Sequence, residues 1–427
     1  MLNENIRQQV KNPSVLVFFI STLFMVFFSI QAIQNWPSQW AQMVITLACI
    51  LPALALTIRN WTSIVQNKKW PVEGKFISII VILGTLNICF SEDRMASFKG
   101  MGLFLISGIL VFGVSFFLFK SRQTQKAFLY LCSFSFIALS VYGLFEFIQQ
   151  MNIPGKRILL FSANPIPAGS LLILLSIGPM SLLASSRSNW ARLFWVFILL
   201  TGALLITLIA QRGPALSMIV IVFFMVTAKR KGIWLFTLVA LILVGIGYQL
   251  SDRIPSQFKN ELLRKETILV RMEFYHIALE VIREKPIFGL GFNSPLSRFI
   301  PSDYEPKIYP VGGDNSFTSM VSGVHVFDNM ALCFLGETGG FFTMAYIGLG
   351  LYLILNIFIF RKHHSGNYAK TLLIIGVLAG FAVHSLTFDS LKNPHLNWIF
   401  HSLLALIARN HVRDNGCNTF KNHHSEV

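Results

Sequence analysis

The chain has 427 residues, 54% hydrophobic and 13% charged, with a formal net charge of +16 and 40 Phe. The mean hydropathy is positive, and the apolar residues come in runs of about 17–23, enough to cross a bilayer core of about 30 Å. This excludes a soluble α/β enzyme and a nucleic-acid-binding protein as readings of the basic composition. Inside lipid the backbone groups of each run must be satisfied within the segment, so the runs are helices.

Twelve spans are predicted, at 15–34, 40–58, 76–91, 101–119, 127–149, 168–186, 193–211, 214–228, 233–250, 341–360, 371–388 and 395–409. The first is too long for a cleavable leader, and no small-residue cleavage site follows it. With the N-terminus in the cytoplasm, the cytoplasmic segments hold 20 Lys and Arg, from Arg7 to Lys421, against the acids Glu4, Glu73, Asp414 and Glu426. The remaining 15 bases face 15 acids, so the whole net charge is cytoplasmic. This is the positive-inside pattern, and topogenic charge accounts for the basic balance. The chain then divides into nine spans over 1–250, one long extracytoplasmic loop over 251–340, three spans over 341–409, and a polar cytoplasmic tail over 410–427. The expected architecture is an all-α polytopic membrane protein whose chemistry lies in or beside the long loop.

Span interiors read as nearly free of ionisable groups. Glu146 sits near a membrane end, and His384 is the main exception. Ion-coupled transporters keep such groups near the midplane, and twelve-span transporters of the major-facilitator type have a long central cytoplasmic linker. Here the sixth and seventh spans are joined only by about 187–192. A solute transporter is therefore the second reading, of a different class. Cys49, Cys89, Cys132 and Cys333 lie in apolar runs and Cys417 in the tail, with no paired spacing, so neither a disulfide framework nor a metal site is indicated. The pairs His363-His364 and His423-His424 read as solvated surface residues, because adjacent side chains point different ways on a helix.

The end of the seventh span reads Gln211-Arg212-Gly213-Pro214, where Gly-Pro breaks the helix on the outer face. Arg212 has no acid near it in sequence. It is either a helix-end arginine reaching for headgroups or a clamp on an anion. Inside the loop, Glu266 to Glu284 reads as a helix. At 100° per residue Glu266, Glu273, Glu280 and Glu284 form one narrow stripe, and most of the remaining surface is apolar, which predicts a nearly buried helix. Arg271 lies about 160° from that stripe. It needs either a distant acid or an anionic ligand, and its planar fork suits phosphate oxygens. Lys285-Pro286 ends the helix, and Gly289-Leu290-Gly291-Phe292-Asn293 reads as a tight turn. At the far end of the loop, His325 stands three residues before Asp328-Asn329. Asp328 is either a helix cap or a functional acid, and a neutral imidazole at His325 is able to take a proton from a hydroxyl.

In combination these segments resemble the O-antigen ligase and polymerase superfamily of bacterial membrane glycosyltransferases. Gln211 to Leu216 looks like the family's Ser-Arg-Gly-Ala segment, and Arg271 to Asn293 like its Arg-initiated helix followed by Pro and Gly-x-Gly. Asp328 to Gly339 looks like its His-Asn…Glu-x-Gly helix, and Asn164-Pro165-Ile166-Pro167-Ala168-Gly169 like an outer loop common in ligases. The resemblance implies a GT-C-like fold in the bacterial inner membrane, with both termini cytoplasmic and a periplasmic active site. It implies transfer of a glycan from undecaprenyl pyrophosphate to a sugar hydroxyl. The acceptor is lipid A-core in a ligase and a second lipid-linked glycan in a polymerase. No cofactor, metal or nucleic acid is expected. Arg212 and Arg271 would bind the pyrophosphate, with Asn329 and Arg157 as further substrate contacts. The family's usual His is replaced by Asp328, so the base is either His325 or Asp328, and a polymerase gains ground.

Overall fold

The computed structural model describes residues 13–35, 39–59, 72–150, 160, 165–209, 212–228, 265–294, 299–300, 307–308, 327, 329–359 and 365–423, for some of them the backbone alone. Every regular element among these residues is helical. In chain order they are α1 (Pro13–Asn35), α2 (Gln39–Arg59), α3 (Val72–Phe90), α4 (Arg94–Leu118), α5 (Arg122–Gln150), α6 (Pro165–Leu175), α7 (Ile177–Ser185), α8 (Asn189–Leu208), α9 (Arg212–Ala228), α10 (Lys265–Glu284), α11 (Met330–Cys333), α12 (Gly339–Ile359), α13 (Ser365–Ser385) and α14 (Pro394–His423). Among the described residues six helices are long and apolar enough to cross a membrane, and shorter apolar stretches lie in α1, α2, α9 and α13. The expected span at 233–250 lies outside the described residues. The other eleven apolar runs fall on helices, the one at 168–186 on two of them, α6 and α7.

Small residues set how closely the helices pack, as expected where lipid supplies no hydrophobic drive between them. A Cβ built on Gly178 of α7 would stand 2.6 Å from the Ser133 Oγ and 2.7 Å from the Leu129 carbonyl oxygen of α5. Gly380 of α13 likewise lies against α9, where its Cβ would be 2.9 Å from the Ser217 carbonyl oxygen. Asp93 caps α4 by accepting the Ala96 N–H at 2.9 Å.

Further along α4 the helix widens into a π-helical turn over Leu105–Leu110. Such a turn disturbs the backbone ladder, and α14 supplies the partners. Asn397 Nδ2 donates to the Phe104 carbonyl at 2.9 Å and to Ser107 Oγ at 2.8 Å. His401 bonds the Asn397 carbonyl through Nδ1 at 2.9 Å and the Tyr346 hydroxyl through Nε2 at 3.1 Å. Phe104 beside this turn is the centre of an aromatic cluster with Phe292, Phe334, Phe342 and Tyr346, at ring distances of 5.6–6.1 Å. Phe292 comes from the Gly-x-Gly segment, so that segment is anchored in the helix bundle.

This corrects one sequence expectation. The apolar interior is not nearly free of ionisable groups. His395 and His401 of α14 and Glu337, in a second π-helical turn (Phe334–Thr338), are as deeply buried as His384.

Glycine packing gives a direct test. Gly178→Ala is expected to destabilise the detergent-solubilised protein by about 1–3 kcal/mol through overpacking, seen as a lower Tm. Gly113→Ala, where a Cβ would meet nothing within 4 Å, is expected to leave Tm unchanged or raise it slightly.

Candidate functional site

A buried carboxylate organises one part of the site. Glu337 is 1% exposed. Its Oε1 accepts from Lys392 Nζ at 2.6 Å, and its Oε2 accepts the Asn293 N–H at 2.6 Å. Lys392 lies in a 3-10 turn (Ser390–Lys392) between α13 and α14. Burial by itself depresses the Lys392 ammonium, but the acidic groups around it, Glu337 first and Asp389 with it, together outweigh this and raise its pKa, so Lys392 stays protonated. The ammonium also lies 5.4 Å from the centre of the Phe292 ring, within cation–π range.

The Gly-x-Gly segment wraps around this pair. Gly289 and Gly291 have φ of +65° and +104°, which Gly adopts without steric cost. A Cβ on Gly289 would lie 2.5 Å from the Gly336 carbonyl oxygen. The close approach allows Leu290 N–H to donate to Gly336 at 2.9 Å and Gly291 N–H to donate to Glu337 at 2.9 Å. From α3, Asn87 donates to the carbonyls of Phe288 and Glu337 at 2.7 and 2.9 Å and accepts the Phe292 N–H at 3.0 Å. Beside it Ser91, Ser97 and Ser294 share hydroxyl contacts, and Lys285 pairs with Glu92. The tight turn expected from sequence is thus a clasp joining α3, α4 and the Glu337 turn.

α10 spans the expected residues and stops before Pro286. Phe274, Ile277, Ala278 and Val281 build a small core with Leu290, Ile300, Phe327 and Cys333, separate from that of the helix bundle. The acidic stripe differs from expectation. Glu273 is fully buried and accepts the backbone N–H groups of Lys307 and Ile308 at 3.1 and 2.6 Å. Glu280 pairs with Lys307 Nζ at 2.6 Å. These two members of the stripe therefore face another stretch of the loop, while Glu284, Met272 and Leu279 are exposed. Chain brought in from 34 and 35 residues away is invisible to helical periodicity.

Arg271 is half-buried on α10. His384, fully buried near the end of α13, contacts Ser170 Oγ of α6 through Nε2 at 2.5 Å. Its Nδ1 has no hydrogen-bond partner and would stand 2.5 Å from a Cβ built on Gly213. One turn later Tyr275 of α10 donates its hydroxyl to the Leu386 carbonyl at 3.1 Å. The start of α9 and α6 therefore meet at one histidine, and α10 reaches the connection just beyond it through Tyr275. The Arg212 side chain lies outside the described residues, and so do His325, Asp328 and Arg157. Asn329 takes the capping role considered for Asp328. Its Oδ1 accepts the N–H groups of Ala331 and Leu332 at 2.9 and 3.2 Å.

Sequence reasoning did not single out Lys392, Asn87 or the role of Glu337. Lys392 carried one signal, a lone base in a short connection between two apolar runs.

A family model described as O-antigen ligase matches residues 195–318. The match covers less than a third of the chain and supports its likeness to the O-antigen ligase and polymerase superfamily, and the apolar helices fit an integral membrane protein. The matched stretch includes Arg212, Arg271 and the Gly-x-Gly clasp. Glu337 and His384 lie beyond it. No curated protein matches the chain.

Breaking the buried pair tests the clasp. Glu337→Gln and Lys392→Met are each expected to destabilise the protein by about 3–5 kcal/mol, because each strands a buried partner. The double variant E337Q/K392M is expected to lose less than the sum of the two, measured by thermal unfolding in detergent.

Proposed function

We propose that the chain is an O-antigen ligase, transferring a glycan from undecaprenyl pyrophosphate to a sugar hydroxyl of lipid A-core at the periplasmic face of the bacterial inner membrane. The observation that carries this reading is the family match over residues 195–318, which takes in Arg212, Arg271 and the Gly-x-Gly clasp. Two arginines from separate parts of the matched domain then serve one anion, as the chemistry of a pyrophosphate leaving group requires. Negative charge grows on the departing phosphate oxygens, and fixed cations in a water-poor site stabilise it without reorganising. Arginine suits the task because its fork pairs with two oxygens and stays charged when buried.

The acceptor hydroxyl loses its proton to His325 or Asp328 as it attacks the anomeric carbon. Direct displacement inverts that carbon. The donor is already activated by its pyrophosphate, so the step requires no nucleotide, and the reading assigns no metal. A polymerase, with a second lipid-linked glycan as acceptor, is the alternative favoured by Asp328-Asn329 in place of the family's His-Asn.

Arg271→Ala and Arg212→Ala are each expected to lower glycan transfer by about 10²-fold or more with normal membrane abundance. The measurement is a lipopolysaccharide gel of a deletion strain carrying each variant. Wild-type ladders from both variants would end this reading. In the uncomplemented deletion, core with no O-antigen and accumulated lipid-linked polymer marks a ligase, whereas core with a single repeat marks a polymerase.

A further inference from the structure

α10 is tied to the ends of apolar helices at two points. In its middle, Tyr275 donates its hydroxyl to the carbonyl of Leu386, just past the end of α13, at 3.1 Å. Beyond its C-terminal end, the Pro286 carbonyl accepts the Gly340 N–H from the first turn of α12 at 2.8 Å. Phe288 there stacks on Phe90, the last residue of α3, with ring centres 4.5 Å apart. These ends of α3, α12 and α13 lie on one side of the bundle, because Asn87 and Lys392 both bond Glu337. α3 and α12 belong to the helices long and apolar enough to cross a membrane, and α13 carries a shorter apolar stretch. From Tyr275 to Pro286 the chain advances about 16 Å at the helical rise. A helix held to one rim at two such points runs along the membrane surface.

Helical geometry then says what each side of α10 faces. Tyr275 marks the side turned to the end of α13. At 100° per residue Leu279 lies about 40° and Met272 about 60° from it, whereas Glu273, Glu280 and Glu284 lie about 140–180° away. Phe274, Ala278 and Val281 turn sideways into the small core with Leu290 and Cys333. The acids are thus on the side away from the membrane, where Glu273 and Glu280 hold Lys307 and Ile308. The side toward the membrane is apolar and open. Met272 and Leu279 are 47% and 49% exposed, and the stripe lies between Leu386 and Ile287, exposed apolar residues beside the two attachment points. It therefore continues the apolar surface that begins at Phe90 and Phe341, both exposed at the ends of α3 and α12.

We propose that α10 is an in-plane membrane helix, its Met272–Leu279 stripe seated among the acyl chains of the leaflet at this end of the bundle and Tyr275 at headgroup level. The partner is the lipid surface itself. An interfacial helix sinks its apolar face about 5–10 Å into the boundary of headgroups and chains and keeps its charged face in water, and the stripe and the acids of α10 divide in that way. A tyrosine suits the border, with its ring in the apolar layer and its hydroxyl bonded to a polar group. The seat also fixes the depth of Arg271, one turn before Tyr275 on the same helix. The inference goes beyond the proposed glycan transfer and does not depend on which reaction the chain carries out.

Photocrosslinking from single positions tests it. Benzoylphenylalanine replaces Met272, Leu279 or Glu284, one at a time, in the full chain in nanodiscs of phosphatidylethanolamine and phosphatidylglycerol, and intact mass reads the adducts after irradiation. Phospholipid adducts from positions 272 and 279 are expected to exceed those from 284 about tenfold or more, as an in-plane amphipathic helix requires. Equal yields at the three positions, or none at 272 and 279, overturn the proposal. So does a crosslink to a second copy of the chain in place of lipid, which would make the stripe a protein interface. An adduct that forms only after undecaprenyl pyrophosphate is added also overturns it, because the stripe would then hold an isoprenoid chain and not the lipid surface. The three side chains are exposed, so their replacement leaves the packing of α10 in place. If one variant of the 272 and 279 pair fails to accumulate, the other carries the test against 284.

Discussion

One buried carboxylate constrains this end of the molecule. Glu337 is enclosed among apolar helices, where an uncompensated carboxylate costs several kcal/mol. It remains only if a cation and N–H donors reach it, and they come from far away in sequence. Lys392 arrives from the α13–α14 connection and the Asn293 N–H from the Gly-x-Gly segment. Each must be delivered at a fixed place, and the delivery shapes the surroundings. The two glycines let the backbone pass within hydrogen-bonding distance of the Gly336 and Glu337 carbonyls. Asn87 then closes three more bonds from α3, and Phe292 fills the space above the helix bundle. Removing any one contribution leaves another buried polar group without its partner, which is costly at low dielectric.

The short connection between α13 and α14 ties this clasp to the arginine site. His384 and Thr387 stand at one end and Lys392 at the other, with the buried Asp389 between. Lys392 is pinned by Glu337, and His384 is pinned by Ser170. α10 reaches the same connection through Tyr275 and leads directly into the clasp at Pro286. The helix carrying Arg271 is therefore fixed at its middle and at its C-terminal end by elements that also hold the helix bundle. Rigid placement of this kind is what a site built on charge positioning requires, since a displacement of about 1 Å already weakens such a site strongly.

Much of the local structure was legible in the sequence. Apolar run length gave the helices, the spacing of Glu266 to Glu284 gave α10, and Pro286 with two glycines gave its end and the turn. What stayed hidden depended on contacts between distant residues. The acidic stripe read as a polar edge, yet Glu273 is buried under backbone from 307–308. Glu337 and Lys392 are 55 residues apart, and nothing local in either stretch points to the other. His395 and His401 sat in a run scored only for apolarity. The stripe His401, Asn397 and the Asn393 carbonyl, spaced four residues apart, was the available sign that one face of α14 meets polar groups. The helix cap is Asn329, one residue past the Asp328 that the sequence offered, and helix boundaries are not read from spacing to that accuracy.

Three helices meet at His384, and each contact limits which residues fit there. The His384 Nε2 lies 2.5 Å from the Ser170 Oγ of α6, so α6 and α13 approach through two polar atoms rather than through apolar side chains. A Cβ on Gly213, at the start of α9, would stand 2.5 Å from the His384 Nδ1 and would run into the Thr387 hydroxyl oxygen as well, so a larger residue there would push α9 away from α13. The Thr387 hydroxyl in turn donates to the His384 carbonyl at 2.8 Å, which closes the end of α13. The connection that carries Lys392 to Glu337 therefore departs from a helix end already held by α6 and α9.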